Sequence, residues 1–194
     1  MRDTTPDMTD AEAIGRCRSD ADDGRAAFRV LYDRYFDSVT SYTRRMLPSA
    51  EMVDEATQET FVRLYRSRER IDPKRPLRPY LLRIAHNVCL DLLKRGRRFA
   101  EREGGDMDEA ATPSTAEAVE AGERQAAIAR ALNRLAPESR SLIVLRHVQG
   151  LKLKQLAELQ DCTERTVRNR LRSAAVLFER ALQEQGVLCW EADS

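Results

Sequence analysis

The sequence predicts an all-α protein made of two small helical domains joined by a flexible acidic linker. Apolar residues recur every three or four positions along most of the chain, and no segment alternates with the period of two that a half-buried strand needs. Glycine and proline are scarce, with 8 and 7 among the 194 residues. The charged fraction of 34% exceeds the usual quarter, which favours modest cores over one large globule.

The first domain, residues 1–98, is predicted to begin with two helices. Thr9 and Glu12 have the spacing of a capping box, which starts a short first helix. A longer helix follows the polar segment 19–24 and ends at Pro48, and it is expected to bury one apolar stripe. The members of that stripe are Phe28, Leu31, Tyr32, Tyr35, Val39, Tyr42 and Met46.

Two further helices are predicted in the same domain. The third covers about residues 52–68, with Val53, Phe61 and Leu64 facing inward. Prolines at positions 73, 76 and 79 then exclude a regular helix over about residues 71–78. The fourth helix is expected to start near Pro79 and to stop around Gly96.

Residues 99–123 are predicted to be a flexible linker. They contain almost no large apolar side chain, and eight acidic residues stand against Arg102 alone. Such a segment buries too little surface to fold by itself.

The second domain, residues 124–194, is predicted to be helical as well. A helix from about residue 118 to Leu135 leads into it, and Pro137 suits the first turn of the next helix, which Gly150 closes. Two short helices are expected over about residues 152–159 and 164–182.

The last two helices have the pattern of a helix-turn-helix. Asp161 occupies the turn position that requires a left-handed backbone, which Asp tolerates better than most residues, and Thr163 can cap the next helix. At 100° per residue, the apolar residues of the second helix fall on one side. The opposite side presents Arg165, Asn169 and Arg172, flanked by Thr166, Arg168 and Ser173, and forked donors of this kind suit the base edges of a major groove. Arg170 lies beside the apolar side, and we expect it to reach a phosphate or an acidic neighbour.

The first domain carries a strongly basic segment. Residues 63–98 contain twelve Lys and Arg residues and three acidic ones, and they bracket the proline-rich break and Tyr80. Positive charge beside an aromatic ring and the amide of Asn87 suits single-stranded or melted nucleic acid.

The third helix is different, because Asp54, Glu55, Gln58 and Glu59 form an acidic patch. That patch is either plain solvated surface or a docking site for a basic protein partner.

Other function classes lack their sequence signals. The four cysteines are far apart and form no zinc-ligand spacing, and the motifs of nucleotide-binding loops, serine hydrolases and zinc proteases are missing. We therefore expect no enzyme activity, no metal and no cofactor. No apolar stretch has the length of a membrane span, so we expect a cytoplasmic protein.

Taken in order, two blocks of the sequence resemble the bacterial RNA polymerase sigma factors of the extracytoplasmic-function type. The first block, residues 27–98, contains AFRVLYDRYFDSV, DEATQETFVRLYR and YLLRIAHNVCLDLLKRGRR and is similar to region 2 of that family. The second block, residues 132–182, contains ALNRLAPESRSLIVLRHVQGL and TVRNRL and is similar to region 4.

The resemblance implies a transcription initiation factor that binds polymerase core, at its clamp helices and flap, and promoter DNA. Docking on the clamp helices is implied for Asp54, Glu55 and Gln58. Binding and opening of the −10 element is implied for Tyr80, Arg83, Asn87, Lys94, Arg95, Arg97 and Arg98. Reading of the −35 element is implied for Arg165, Thr166, Arg168, Asn169 and Arg172. The resemblance also implies an anti-sigma factor as a partner, and a monomer when the protein is free.

The chain departs from the family pattern at several positions. Tyr80 stands where the family often has Trp, Lys152 replaces a Ser or Thr cap, and Gln155 replaces a frequent Glu. Asp161 replaces the turn glycine, and Gln160 is polar where the family is usually apolar. We interpret these differences as tuning of promoter choice or stability.

Two other functions compete with this interpretation. The first is a stand-alone helix-turn-helix regulator that acts without polymerase, although such proteins usually dimerise and no dimer stripe is evident. The second is an all-helical enzyme that uses His86, Cys89 and Asp91, whose spacing places them on neighbouring faces of one helix.

Overall fold

The computed structural model describes residues 8–18, 22–103 and 122–185, and every regular element in these ranges is a helix. The first unit contains α1 (Asp10–Cys17), α2 (Asp22–Met46), α3 (Ala50–Arg66) and α4 (Leu77–Glu103). The second unit contains α5 (Gly122–Asn133), α6 (Pro137–Ile143), α7 (Leu153–Leu159) and α8 (Glu164–Gln183). The all-α prediction is confirmed.

Two helices of the first unit begin with side-chain caps, and the first of these caps was predicted from the sequence. The Thr9 hydroxyl accepts the Glu12 backbone N–H at 3.3 Å, and the Glu12 carboxylate accepts the Thr9 N–H at 2.8 Å. This reciprocal pair is a complete capping box, and it satisfies two N–H groups that would otherwise lack partners. Ser49 caps α3 by accepting the Met52 N–H at 3.3 Å.

Helix α2 is central to the first unit and contacts α1, α3 and α4. Leu31, Val39 and Met46 of its predicted stripe are at most 2% exposed. Phe28 is half-buried, and Tyr32 departs furthest from the prediction, since 36% of its surface remains exposed while its ring lies 4.5 Å from that of Phe61. The prediction that Tyr32 is buried is wrong. Tyr32 lies at the edge of the apolar stripe, next to the side of the helix that faces solvent.

We expected helix α4 to stop around Gly96. It instead continues to Glu103. Gly96 lacks the positive φ of a helix-ending glycine, and apart from its chain neighbours and the nearby backbone of its own helix no atom lies within 4 Å of the position that a Cβ would occupy. Residues 99–103, predicted to be linker, therefore extend the helix. Residues 104–121 of the predicted linker lie outside the described residues, and its last two residues, 122–123, belong to α5.

Gly96→Ala is expected to raise the free energy of unfolding by about 0.5–1 kcal/mol, because alanine fits the open helical position and restricts the unfolded chain. Urea denaturation measures the change. Gly150→Ala is the matched control, since its φ of +66° is unfavourable for alanine, and this variant should lose stability. Equal effects of the two variants would contradict the conformational explanation.

The second unit contains a feature that the sequence analysis did not predict. Helix α6 continues into a π-helical turn, Val144–Val148, in which the Gln149 N–H donates to the Val144 carbonyl at 2.9 Å. Gly150, with a φ of +66°, then closes this helical segment, as predicted. Helices α5, α6 and α7 all pack against α8.

The two units contact each other. Helix α2 packs against α5, α6 and the π turn, and α4 packs against α7. The buried apolar residues of both units belong to one connected core. Local sequence patterns predicted two separate units and gave no signal of this contact.

Candidate nucleic-acid interface

The exposed face of α4 carries a basic stripe. Tyr80, Arg83, Asn87, Lys94 and Arg98 are three, four or seven positions apart, which places their side chains within an arc of about 60° on a helix. All five are exposed, and Tyr80 exposes 37% of its surface. The helix therefore presents one aromatic ring, one amide and three cations along a single line.

Arg95 and Arg97 do not belong to this line. Arg95 pairs with Glu55 of α3. Arg97 faces another direction, and its charge acts on Arg140 of α6, whose pKa is lowered by burial and also by Arg97. The structure thus divides the predicted −10 set into five residues that share a face and two that point elsewhere.

The acidic set of α3 lies beside this stripe. Asp54, Glu55 and Gln58 are exposed, while Val53, Phe61 and Leu64 behind them are at most 7% exposed. A groove of about 500 Å³ lies along the contact between α3 and α4, and Gln58, Val62, Val88 and Leu92 are among the residues that line it.

Ion pairs cross the same groove. Arg63 of α3 donates to Glu59 at 2.7 Å and lies 3.6 Å from Asp91, the acidic residue on the face of the basic stripe. Together with the Arg95–Glu55 pair, this contact fixes the acidic set and the basic stripe relative to each other.

Helices α7 and α8 form the predicted helix-turn-helix. Asp161 has a φ of 52°, so it adopts the left-handed backbone that the turn requires. Thr163 caps α8 by accepting the Thr166 N–H at 3.1 Å, and the two hydroxyls lie 2.8 Å apart. The turn and cap predictions are confirmed.

The arginine-rich face of α8 is exposed, and its apolar face is buried. Arg165, Arg168, Asn169 and Arg172 are exposed, whereas Thr166 is half-buried and its hydroxyl is bound to that of Thr163. On the opposite face, Val167, Ala174 and Phe178 are at most 3% exposed. The helix is therefore held by its apolar side and offers forked donors to a partner.

Arg170 does not reach an acidic neighbour in the structure. Its Nη1 donates to the Gln160 side-chain oxygen at 3.1 Å. This bond accounts for the polar residue at position 160, because an apolar side chain there would leave the guanidinium without that acceptor. At the start of α7, the Gln155 amide oxygen accepts the Lys152 N–H at 2.8 Å, which keeps half of a capping box.

The proposed catalytic group of His86, Cys89 and Asp91 is not assembled. His86 is 7% exposed and bound to Ser141, and burial lowers its pKa to about 4. Cys89 is fully buried, which raises its thiol pKa, and Asp91 is exposed beside Arg63. Burial also raises the pKa of Cys17 to about 11.

Among the described residues, no group of His, Cys, Asp or Glu side chains could hold a metal ion. Cys17 and Cys89 are buried free thiols, Cys162 is half-buried, and Cys189 lies outside the described residues. Over the same ranges, no helix has the length and apolar composition that crossing a bilayer demands.

Comparison with known proteins assigns both units. Residues 31–99 match the family Sigma-70 region 2, and residues 125–175 match Sigma-70, region 4. The chain belongs to the sigma-70 family of RNA polymerase sigma factors. Relatives named as ECF sigma factors match 81% of this chain, which is of the same extracytoplasmic-function type. Sigma factors direct the polymerase to specific promoters, so this chain is a transcription initiation factor.

Relatives and solved structures agree with that assignment. The sigma factor is 28% identical to "ECF RNA polymerase sigma-E factor" of Salmonella typhimurium over 169 residues, which cover 81% of this chain and 87% of the relative. The structure of CnrH in complex with the cytosolic domain of CnrY is similar, with a TM-score of 0.66, 25% identity and coverage of 90% and 97% of the two chains. The sigma factor RpoE of Bartonella quintana, crystallised with the anti-sigma factor NepR, shares the fold, with a TM-score of 0.67, 18% identity and coverage of 80% and 96%.

The two family matches contain every candidate residue. The acidic set and the basic stripe fall in region 2, and the exposed face of α8 falls in region 4. A stand-alone helix-turn-helix regulator is not favoured, because it accounts for the region 4 match only.

Proposed function

We propose that this sigma factor docks on polymerase core through the acidic set of α3 and recognises two promoter elements with two separate helices. The basic stripe of α4 binds and opens the −10 element, and the exposed face of α8 reads the −35 element as duplex. Recognition and strand opening are its contribution, and it performs no catalytic step of its own. The predicted boundaries at residues 98 and 124 shift to the ends of the helices, so the first unit extends through α4 to residue 103, the second begins with α5 at residue 122, and the acidic segment 104–121 joins them.

The observation that carries this proposal is the separation of three chemically distinct exposed surfaces. Carboxylates and an amide lie on α3, cations with an aromatic ring lie on α4, and forked donors lie on a helix of the other unit. Cations beside a ring suit unstacked bases, because the ring stacks on a base while the charges hold the backbone. Arg and Asn on a helix in the major groove suit duplex.

The family assignment supports the partners. A sigma factor needs two partners, which are core polymerase, at its clamp helices and flap, and promoter DNA. We also propose a cytoplasmic location, because the polymerase that it would bind is in the cytoplasm. An anti-sigma factor is proposed as well, since the Bartonella RpoE was solved with the anti-sigma factor NepR, and CnrH was solved with the cytosolic domain of another protein, CnrY. The free sigma factor is proposed to be a monomer.

In vitro run-off transcription with purified core polymerase tests the function. The full chain should produce transcripts from its own promoters, while core alone should not. Protection of a palindromic duplex without polymerase, together with no run-off product, would support the stand-alone regulator instead.

Arg172→Ala tests base reading by α8. If Arg172 contacts a base edge, its loss weakens binding to the −35 element by about 1–3 kcal/mol and relaxes the preference at one base pair. Competition binding with a set of single-base variants of the −35 duplex measures both effects. Arg180→Ala is the control, because Arg180 lies farther along the same helix, beside Glu184. Equal weakening on all sequences would limit Arg172 to phosphate contact.

A further inference from the structure

Helix α8 carries two adjacent apolar side chains on its exposed side. Val176 is 60% exposed and Leu177 is 53% exposed, whereas the next residue, Phe178, is 3% exposed. We call Val176 and Leu177 the apolar pair. Removing such side chains from water is favourable, so the apolar pair offers binding free energy to an apolar segment that can reach it.

Arginines border the apolar pair. At 100° per residue, Arg172, Val176 and Arg180 fall within an arc of about 80°, with Val176 in the middle. Arg172 is exposed, and the side chain of Arg180 is 79% exposed although it lies 3.5 Å from Glu184. The face therefore matches an occupant that is apolar in one part and negatively charged in the next.

A segment of this chain has that composition. The described residues of the second unit end at Gln185, and residues 186–194 have the sequence GVLCWEADS. Four apolar residues, 187–190, precede the acidic Glu191 and Asp193, and the segment contains no basic residue. We call residues 186–194 the apolar-acidic segment. Its two parts follow the order that the face of α8 requires.

A straight continuation of α8 would not cover the apolar pair. In such a helix Val187 and Trp190 would lie within about 40° of Val176, which adds further apolar surface to the exposed side. Gly186 instead follows directly on the turn that ends α8. Glycine is the residue that most readily reverses the chain at a helix end. The sequence thus favours a return along the helix.

The lengths of chain permit this return. Trp190 is five residues beyond Gln185, and an extended chain of that length spans about 17 Å. Val176 is nine residues before Gln185, or about 14 Å along the helix. Arg172 lies about 6 Å further in the same direction, which the three residues from Trp190 to Asp193 can cover.

We infer that the apolar-acidic segment packs along α8, with Trp190 on the apolar pair and the two carboxylates beside Arg172. Tryptophan covers a large apolar area, which stabilises the packed segment. A carboxylate beside Arg172 accepts from the guanidinium that would otherwise bind a DNA phosphate, so the segment lowers the affinity of α8 for duplex. The packing concerns the free protein alone, whereas the competition with DNA rests on the proposed function of α8.

Intrinsic fluorescence of the full chain tests the packing, because Trp190 is the only tryptophan in the sequence. Emission of the parent should be blue-shifted from that of a synthetic peptide of residues 186–194, and acrylamide should quench it less. Val176→Ser with Leu177→Ser should lower the ratio of packed to unpacked segments by at least about 10-fold, because full burial of one Val or Leu side chain already corresponds to about that factor. The emission should then match that of the peptide.

Val148→Ser is the matched control. Val148 is 44% exposed in the same unit, so the variant also removes an exposed apolar side chain, and it should keep the emission of the parent. Circular dichroism verifies that each variant remains helical. The inference is wrong if the parent emits like the peptide, or if the variant of the apolar pair emits like the parent. It is equally wrong if Val148→Ser, and not the variant of the apolar pair, exposes Trp190.

Titration with a short duplex of mixed sequence tests the competition. Glu191→Gln with Asp193→Asn should bind this duplex about 2- to 5-fold more tightly than the parent at low salt, and the gain should shrink as salt rises. The variant of the apolar pair should show a similar gain. Equal affinities in all three proteins overturn the placement of the carboxylates beside Arg172. If Trp190 is shielded but none of the proteins binds duplex, recognition of DNA by α8 fails while the packing stands.

Discussion

Asp54→Lys together with Gln58→Ala is expected to weaken binding to core polymerase by about 10- to 100-fold, because a reversed charge meets a basic partner surface that carboxylates otherwise attract. Both residues are exposed on α3, so the substitutions leave the buried face of that helix intact. Fluorescence anisotropy of the labelled sigma factor, titrated with core at several salt concentrations, measures the affinity. The loss should shrink as salt rises, since screening weakens exposed charge pairs.

Asp33→Lys is the matched control for this prediction. It makes the same charge reversal on the neighbouring α2, at an exposed residue 3.7 Å from the exposed Arg29. The control should bind core as the parent does. Comparable losses in both proteins would mean that net charge matters and that the acidic set of α3 has no specific docking role.

The free energy of unfolding is expected to fall as pH decreases, and His86 accounts for part of the fall. Burial lowers its pKa from 6.5 to about 4, with a raising effect from Glu138 and a further lowering effect from Lys94. Between these two values the unfolded chain binds the proton more readily than the folded chain, so acid favours unfolding. From pH 7.5 to pH 5 the loss through this group is about 2 kcal/mol.

Urea denaturation at a series of pH values tests this contribution, with His86→Gln as the comparison. Glutamine keeps a hydrogen-bonding side chain but does not titrate. Between pH 7.5 and pH 5 the free energy of unfolding of the parent should therefore fall by about 2 kcal/mol more than that of the variant. Parallel pH profiles would show that His86 keeps an ordinary pKa in the folded protein.

Local sequence patterns predicted the parts of the fold that depend on neighbours along the chain. The capping box of Thr9 and Glu12, the left-handed turn at Asp161 and the cap at Thr163 each involve residues within a few positions of one another. Periodicity also separated the buried and exposed faces of α8, because the helix repeat places residues seven apart on the same side. The candidate surfaces on α3 and α8 could therefore be predicted from the sequence.

Other features were missed because no local signal distinguishes them. Glycine often ends a helix, so Gly96 predicted the end of α4. The residues on both sides of it have high helix propensity, and the helix continues through it. Gln149 precedes a turn glycine, and from the sequence alone it would be predicted to be an ordinary loop residue. The π turn that buries it depends on packing against α2 and α4.

The order of the residues was sufficient to determine an all-helical chain, a recognition helix with one arginine-rich face, and membership of the sigma-70 family. Only the folded molecule decided how the two units lie against each other, that Arg95 and Arg97 leave the basic stripe, and that His86 bonds to a serine 55 positions away. Helix formation and capping act between residues close in sequence, whereas contacts between units depend on which complementary groups meet in space.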